Sequence, residues 1–176
     1  MATLSIELVP RSREALEADL RRVRTLFPAV ETVNLPDLVR FPVRSWDACG
    51  IARAYVPRAI PHLRACDIDL GGDGRGGRLP LPALKDRLAS HDLREVIVVQ
   101  GDDPDEALSR GGSTSLQLIE ALRADHPDLR IYAALDPYRS SPQRERDYAA
   151  EKRAAGADGF FSQPFFDLRY LDVWAD

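Results

Sequence analysis

Four side chains spread along the 176-residue chain are of types that do chemistry, and each stands inside an apolar run or just past one. Glu7 lies within Ser5-Ile6-Glu7-Leu8-Val9, where strand alternation sets it on the face opposite Ile6 and Leu8. A carboxylate turned into the interior of a sheet is costly unless it is paired or keeps its proton, and a carboxyl that keeps its proton suits a general acid. The alternative is a satisfied structural carboxylate. His62 follows Pro61 in a later strand-like run, and Asp102 follows Gly101 just past Val96-Ile97-Val98-Val99. A histidine in such a place can move protons or simply hydrogen-bond within the core, and Gly-Asp is also ordinary loop chemistry. Gln163, in Ser162-Gln163-Pro164-Phe165-Phe166, offers a donor and an acceptor beside aromatic rings. A planar heterocycle such as a pterin requires that combination, although loop punctuation is the plainer reading.

Holding such residues at one place requires regular elements, and the sequence supplies an alternation of strand and helix. A strand from Ser5 closes at Pro10, and Ser12 caps a helix with Leu16, Leu20, Val23 and Phe27 on one face. Thr32 to Leu35 is a second strand, and Ser45 is the expected cap of a helix through Trp46, Cys49 and Ala52. Ala59 to Ala65 and Val96 to Val99 read as buried strands of a parallel sheet. A polar loop, 100–112, leads to a helix with Thr114 and Gln117 at capping-box positions. Arg130 to Leu135 is a further strand, and Ser141-Pro142 opens a helix that Gly156 ends just after Lys152. Gly159 to Ser162 is the next strand, and a helix is expected from Asp167.

About six strand units, each followed by helix or loop, imply an α/β protein with a parallel sheet. The pattern is that of a (β/α)8 TIM-type barrel in a single domain over 1–176, but such a barrel has eight strands and typically ~250 residues. Either the sheet stays open, or another chain completes it, or the sequence is a fragment. Within the glycine-rich stretch 70–79, Gly72, Gly74 and Gly77 satisfy G-x-G-x-x-G. Arg78-Leu79-Pro80-Leu81-Pro82 does not open a helix directly after it, as a phosphate site requires, so a flexible surface loop is expected.

The formal net charge is −4, and the arginines are interleaved with acids, so no basic stripe for nucleic acid is present. No apolar run is long enough to span a bilayer, and the N-terminus lacks the features of a signal peptide. The expected location is the cytoplasm. Cys49 and Cys66 have neither CxxC spacing nor a nearby histidine pair, so no metal site is expected.

Several segments taken together resemble the methylenetetrahydrofolate reductases. Ser5-Ile6-Glu7-Leu8-Val9-Pro10 resembles their first-strand Ser-Phe-Glu-Phe-Phe-Pro, and Pro61-His62-Leu63 their third-strand Pro-His-Leu. Val98-Val99-Gln100-Gly101-Asp102 is similar to their Leu-Arg-Gly-Asp. Ala155-Gly156-Ala157 and Ser162-Gln163-Pro164-Phe165-Phe166-Asp167 resemble their Ala-Gly-Ala and Thr-Gln-Phe-Phe-Phe-Asp. The resemblance implies reduction of 5,10-methylenetetrahydrofolate to 5-methyltetrahydrofolate through bound FAD recharged by NAD(P)H. It implies Glu7 as general acid, Asp102 as the carboxylate that holds folate and steadies the developing cation near the flavin, and Gln163 as the amide that contacts folate. His62 and Lys152 match flavin-site positions, Asn34 stands where a hydroxyl residue would touch the flavin, and Arg139 could serve a phosphate. Gln100 replaces the family's arginine before Gly-Asp. Two other activities are compatible with these departures: a catalytically silent folate-binding or accessory subunit, and a flavin-free reductase using NADH directly. An unclosed sheet also leads to the expectation of a homo-oligomer or a partner chain that completes the barrel.

Overall fold

In the computed structural model, which describes residues 4–101 and 112–164, the apolar runs become strands β1 (Ser5–Glu7), β2 (Thr32–Leu35) and β3 (Arg58–Arg64). The short pair β4 (Ile68–Asp69) and β5 (Leu79–Pro80) follows, and then β6 (Glu95–Val99), β7 (Arg130–Leu135) and β8 (Gly159–Ser162). Between them run helices α1 (Arg13–Leu26), α2 (Ser45–Ala52), α3 (Leu81–Ser90), α4 (Ser115–Asp125) and α5 (Pro142–Ala154). Six strands form one sheet in the order β1-β2-β3-β6-β7-β8, every pair parallel. The order never reverses, so the sheet winds in one direction and curls into a half-barrel, a partial α/β barrel.

Alternation gives the sheet two unlike faces. Val33, Leu35, Ala59, Leu63, Val96, Val98, Ile131 and Ala133 point to one side and join a single core with Leu16, Leu20, Cys49, Leu84, Leu88, Leu118, Ile119 and Leu122 from the helices. Each fully buried leucine or isoleucine there contributes ~1.5–3 kcal/mol. The other face is concave, mixes polar with apolar side chains, and carries the candidate site.

The helix boundaries follow local chemistry. Ser12 accepts from Ala15 N, and Ser141 accepts from Arg144 N with Pro142 in the first turn of α5. Thr114 and Gln117 form a complete capping box. Gly156, at φ 117°, follows the end of α5 in the left-handed region.

Five features differ from the sequence expectations, the first being Phe27, which lies just past the end of α1 and is exposed rather than part of its inward face. Ser45 is the first residue of α2 rather than its cap, because its hydroxyl donates to the His62 carbonyl at 2.8 Å and the helix start is held instead by Asp37 Oδ1, which accepts from Ser45 N. Helix α3 was not anticipated: its prolines, Pro80 and Pro82, look like breakers but occupy the cap and first turn, where no N–H is needed. The glycine-rich stretch lies at the surface yet is tied down, since β4 pairs with β5 and the Asp69 carboxylate accepts from Gly71 N and Gly74 N at 2.8 and 2.7 Å. Strand β1 ends at Glu7, with Leu8 N still bonded to Asn34 O. The helix expected from Asp167 lies outside the described residues. No helix among the described residues is long and apolar enough to cross a membrane.

Candidate functional site

The concave face of the half-barrel encloses a cleft of about 1180 Å³. Its walls are the alternate residues that do not face the helices: Glu7 on β1, Asn34 on β2, His62 on β3, Ile97 and Val99 on β6, Tyr132 and Ala134 on β7, and Phe161 on β8. At the end of the cleft where the strands begin, Arg58 donates to both Glu95 oxygens and to Tyr132 Oη at 2.6 Å. Phe161 packs edge-on against the Tyr132 ring, centroids 5.1 Å apart. This floor is satisfied internally. The opposite end, where strands finish, carries polar groups with unused capacity, as in barrels whose sites lie at the C-terminal strand ends.

On the β1–β3 side, Asn34 Nδ2 donates to Ser5 Oγ at 2.9 Å, and Asn34 Oδ1 lies 2.9 Å from His62 Nε2. Glu7 Oε2 is 4.0 Å from the same ring nitrogen. Burial of the imidazole pushes the His62 pKa down to about 4, so the ring is neutral at pH 7 and forms no ion pair with Glu7. Partial desolvation of Glu7 raises its pKa above the ordinary carboxylate value. Nearby, Arg44 makes a bidentate pair with Asp37, whose own side chain is buried.

On the β7–α5 side, Lys152 is 3% exposed and donates to Ala134 O at 2.6 Å. Its ammonium sits 4.1 Å from the centroid of the Tyr148 ring, and the Arg139 guanidinium lies 4.6 Å from the same centroid. Desolvation pushes Lys152 down to about 8, opposed by the Glu145 carboxylate. Glu145, 1% exposed, accepts from Arg139 Nη2 at 2.8 Å and from Asp136 N at 3.2 Å. Tyr148 Oη shares a hydrogen bond with Ser115 Oγ at 2.8 Å.

Glu7, Asn34, His62, Arg139, Lys152 and Gln163 therefore border one cleft, although they come from five separate segments of the chain. Asp102 lies outside the described residues; Gly101, just before it, lines the cleft. That glycine has φ 94°, and a Cβ on it would stand 2.2 Å from Cys66 Sγ, so only glycine lets the end of β6 approach the turn after β3 so closely.

A scan against models of known protein families finds no match to this chain, and neither does a search of curated proteins.

Sequence reading missed Asp37, Arg44, Glu145 and Tyr148. A signal for the last two was present. Glu145, Tyr148 and Lys152 recur at the spacing of one helix face, in a helix whose sequence, PQRERDYAAEKRA, has no aliphatic stripe. A helix that must pack against a sheet with such a face brings polar groups inward. Gln100, where a cation was expected from the resemblance, spends its amide on the start of α4, donating to Ser113 O at 3.3 Å and accepting from Ser115 N at 2.8 Å.

Proposed function

We propose that this protein is an oxidoreductase of the methylenetetrahydrofolate reductase type, built on part of a TIM-type barrel, which reduces 5,10-methylenetetrahydrofolate to 5-methyltetrahydrofolate. The observation that carries this reading is the convergence of Glu7, His62 and Gln163, each in a motif that resembles that family, on one cleft at the strands' C-terminal ends. A cleft of about 1180 Å³ has room for a pterin against a flavin ring.

In this reading Glu7 donates the proton. Opening the folate imidazolidine ring expels an amine, a poor leaving group until protonated, and partial desolvation raises the Glu7 pKa, which favours the proton-bearing form that a general acid needs. The neutral His62 beside it supplies no positive charge that would draw the proton off. Gln163 binds the pterin edge through its amide, and Asp102 holds the folate while positive charge develops. The residues present fit a flavin: Asn34 and His62 for the ring system, and Lys152 and Arg139 for a phosphate, since each cation keeps N–H groups with no acceptor among the described residues. When bound, such a cofactor supplies the relay of hydride from NAD(P)H to the folate.

The test is spectroscopic. Purified protein is expected to be yellow, to bleach with NADH and to recover its colour with methylenetetrahydrofolate. Glu7→Gln is expected to abolish folate reduction while leaving bleaching by NADH intact; equal loss of both half-reactions would show that Glu7 is structural. One observation favours a second reading, a flavin-free reductase: the position of the family's arginine holds Gln100, whose amide is already engaged. Colourless protein that turns over would establish it, and colourless, inert protein that binds folate would establish an accessory subunit.

A further inference from the structure

We propose that Asn34 is a positioning residue that fixes His62 as its Nε2–H tautomer, so that the ring offers an acceptor nitrogen, Nδ1, to a bound ligand and turns a hydrogen, not a lone pair, towards Glu7. The argument begins at Ser5. The Asn34 amide nitrogen donates to Ser5 Oγ at 2.9 Å, which turns the amide oxygen towards His62 and sets it 2.9 Å from Nε2. A carbonyl oxygen is an acceptor only, so Nε2 must carry the hydrogen. A neutral imidazole has one N–H, and Nδ1 is left with its lone pair. Nδ1 has no hydrogen-bond partner among the described residues.

The arrangement is braced from several sides. Ser5, Asn34 and His62 sit on three adjacent parallel strands, and Ser45 of α2 fixes the His62 backbone through its carbonyl. Among the described residues, the charged groups around the ring are Glu7 from β1, Asp37 just past β2 and Arg64 two residues along β3. The Asp37 charge is taken up by Arg44, and Arg64 pairs with Asp67 at 2.9 Å. Ile97, opposite on β6, is apolar. Among the described residues, no neighbour therefore competes with Asn34 for Nε2 except Glu7, at 4.0 Å.

Two consequences follow. A ligand that meets His62 must present an N–H or O–H to it, which makes the ring a selector for donors. Among the described residues, the ring nitrogen that faces Glu7 also carries a hydrogen, so it offers that carboxyl no lone pair to which a proton could pass. The use of that proton on substrate rests on the reductase reading; the tautomer itself does not.

The experiment is long-range ¹H–¹⁵N NMR of histidine-labelled, ligand-free protein, in which the two tautomers give different nitrogen patterns. The chain has only three histidines, and His62→Gln assigns the signal. The wild type is expected to show the Nε2–H form with a titration midpoint well below the ordinary value. Asn34→Ala is expected to give a mixture of tautomers. Asn34→Asp, of the same shape, puts a carboxylate on Nε2 and is expected to raise the His62 midpoint by at least a unit or so. Folding of each variant is checked by circular dichroism, and the isosteric Asp variant decides if Ala does not fold. A wild-type Nδ1–H tautomer, meaning an amide flipped to donate to Nε2, would overturn the proposal, as would a tautomer or midpoint indifferent to Asn34. In the folate half-reaction, where His62 stays neutral, the added carboxylate of Asn34→Asp near Glu7 is expected to move the alkaline limb to higher pH. A protein with no folate activity would remove that consequence and leave the NMR result to stand.

Discussion

Lys152 occupies an environment that favours its neutral form, and its neighbours do not fully compensate. One carbonyl and one aromatic face receive the ammonium, while desolvation lowers its pKa from the ordinary 10.5 to about 8. The sign of the effect on stability follows from proton counting. Between these two values the unfolded chain holds its lysine proton and the folded chain releases it, so the unfolded state binds more protons and stability rises with pH. The penalty of burying the charge is fully present below about pH 8 and relaxes towards 10.5. Lys152→Met is therefore expected to be more resistant to urea than the wild type at pH 7, with the difference shrinking as the pH is raised to 10. Parallel pH profiles for the two proteins would show that the ammonium is better solvated than its burial implies. An anion bound beside Arg139 would raise the Lys152 pKa again, so phosphate-containing ligands are expected to narrow the same gap.

At the scale of elements, α4 shows how a short polar signal fixes both fold and site. Thr114 Oγ1 accepts from Gln117 N at 3.2 Å, and Gln117 Oε1 accepts from Thr114 N at 2.9 Å, while Gln100 at the end of β6 holds the next amide. Thr114→Ala is expected to destabilise the protein by about 1 kcal/mol in urea unfolding and Thr114→Ser by much less; a loss below a few tenths for the alanine would mean that Gln100 alone secures the helix start. This cap, the Ser12 cap and the six long strands were legible because each depends on residues adjacent in sequence. Helix α3 was not, because prolines in its first turn look like breakers when the helix axis is unknown. The site was legible in the same uneven way. Glu7, His62 and Gln163 could be found because strand alternation and strand ends mark the concave face. Glu145 and Tyr148 are brought to the cleft by the angle at which α5 meets the sheet, and Asp37 matters through Arg44 and the start of α2. Those are tertiary relations that no local pattern states.

At the scale of the molecule, the half-barrel ends in two strands, β1 and β8, that have only one strand neighbour each among the described residues. The direction of their backbone groups can be worked out. Leu8 N bonds to Asn34 O, so Ile6 and Leu8 turn their main-chain groups towards β2, and those of Ser5 and Glu7 face the free edge. Gln163 N bonds to Leu135 O, so Phe161 and Gln163 serve β7, and the groups of Phe160 and Ser162 face outward. Unpaired edges of this kind pair with other strands when nothing covers them. We therefore expect this 176-residue chain to self-associate in solution, with a mass by light scattering above the 19.6 kDa of one copy. Ser162→Pro separates edge pairing from folding. Proline removes an N–H that points away from β7 and fixes a φ that an extended strand tolerates, so the β7–β8 ladder stays intact while the outer edge loses a donor. The variant is expected to shift towards the monomer with its circular dichroism unchanged. Wild-type protein that remains monomeric at every concentration, or an assembly indifferent to Ser162→Pro, would place the contact away from β8.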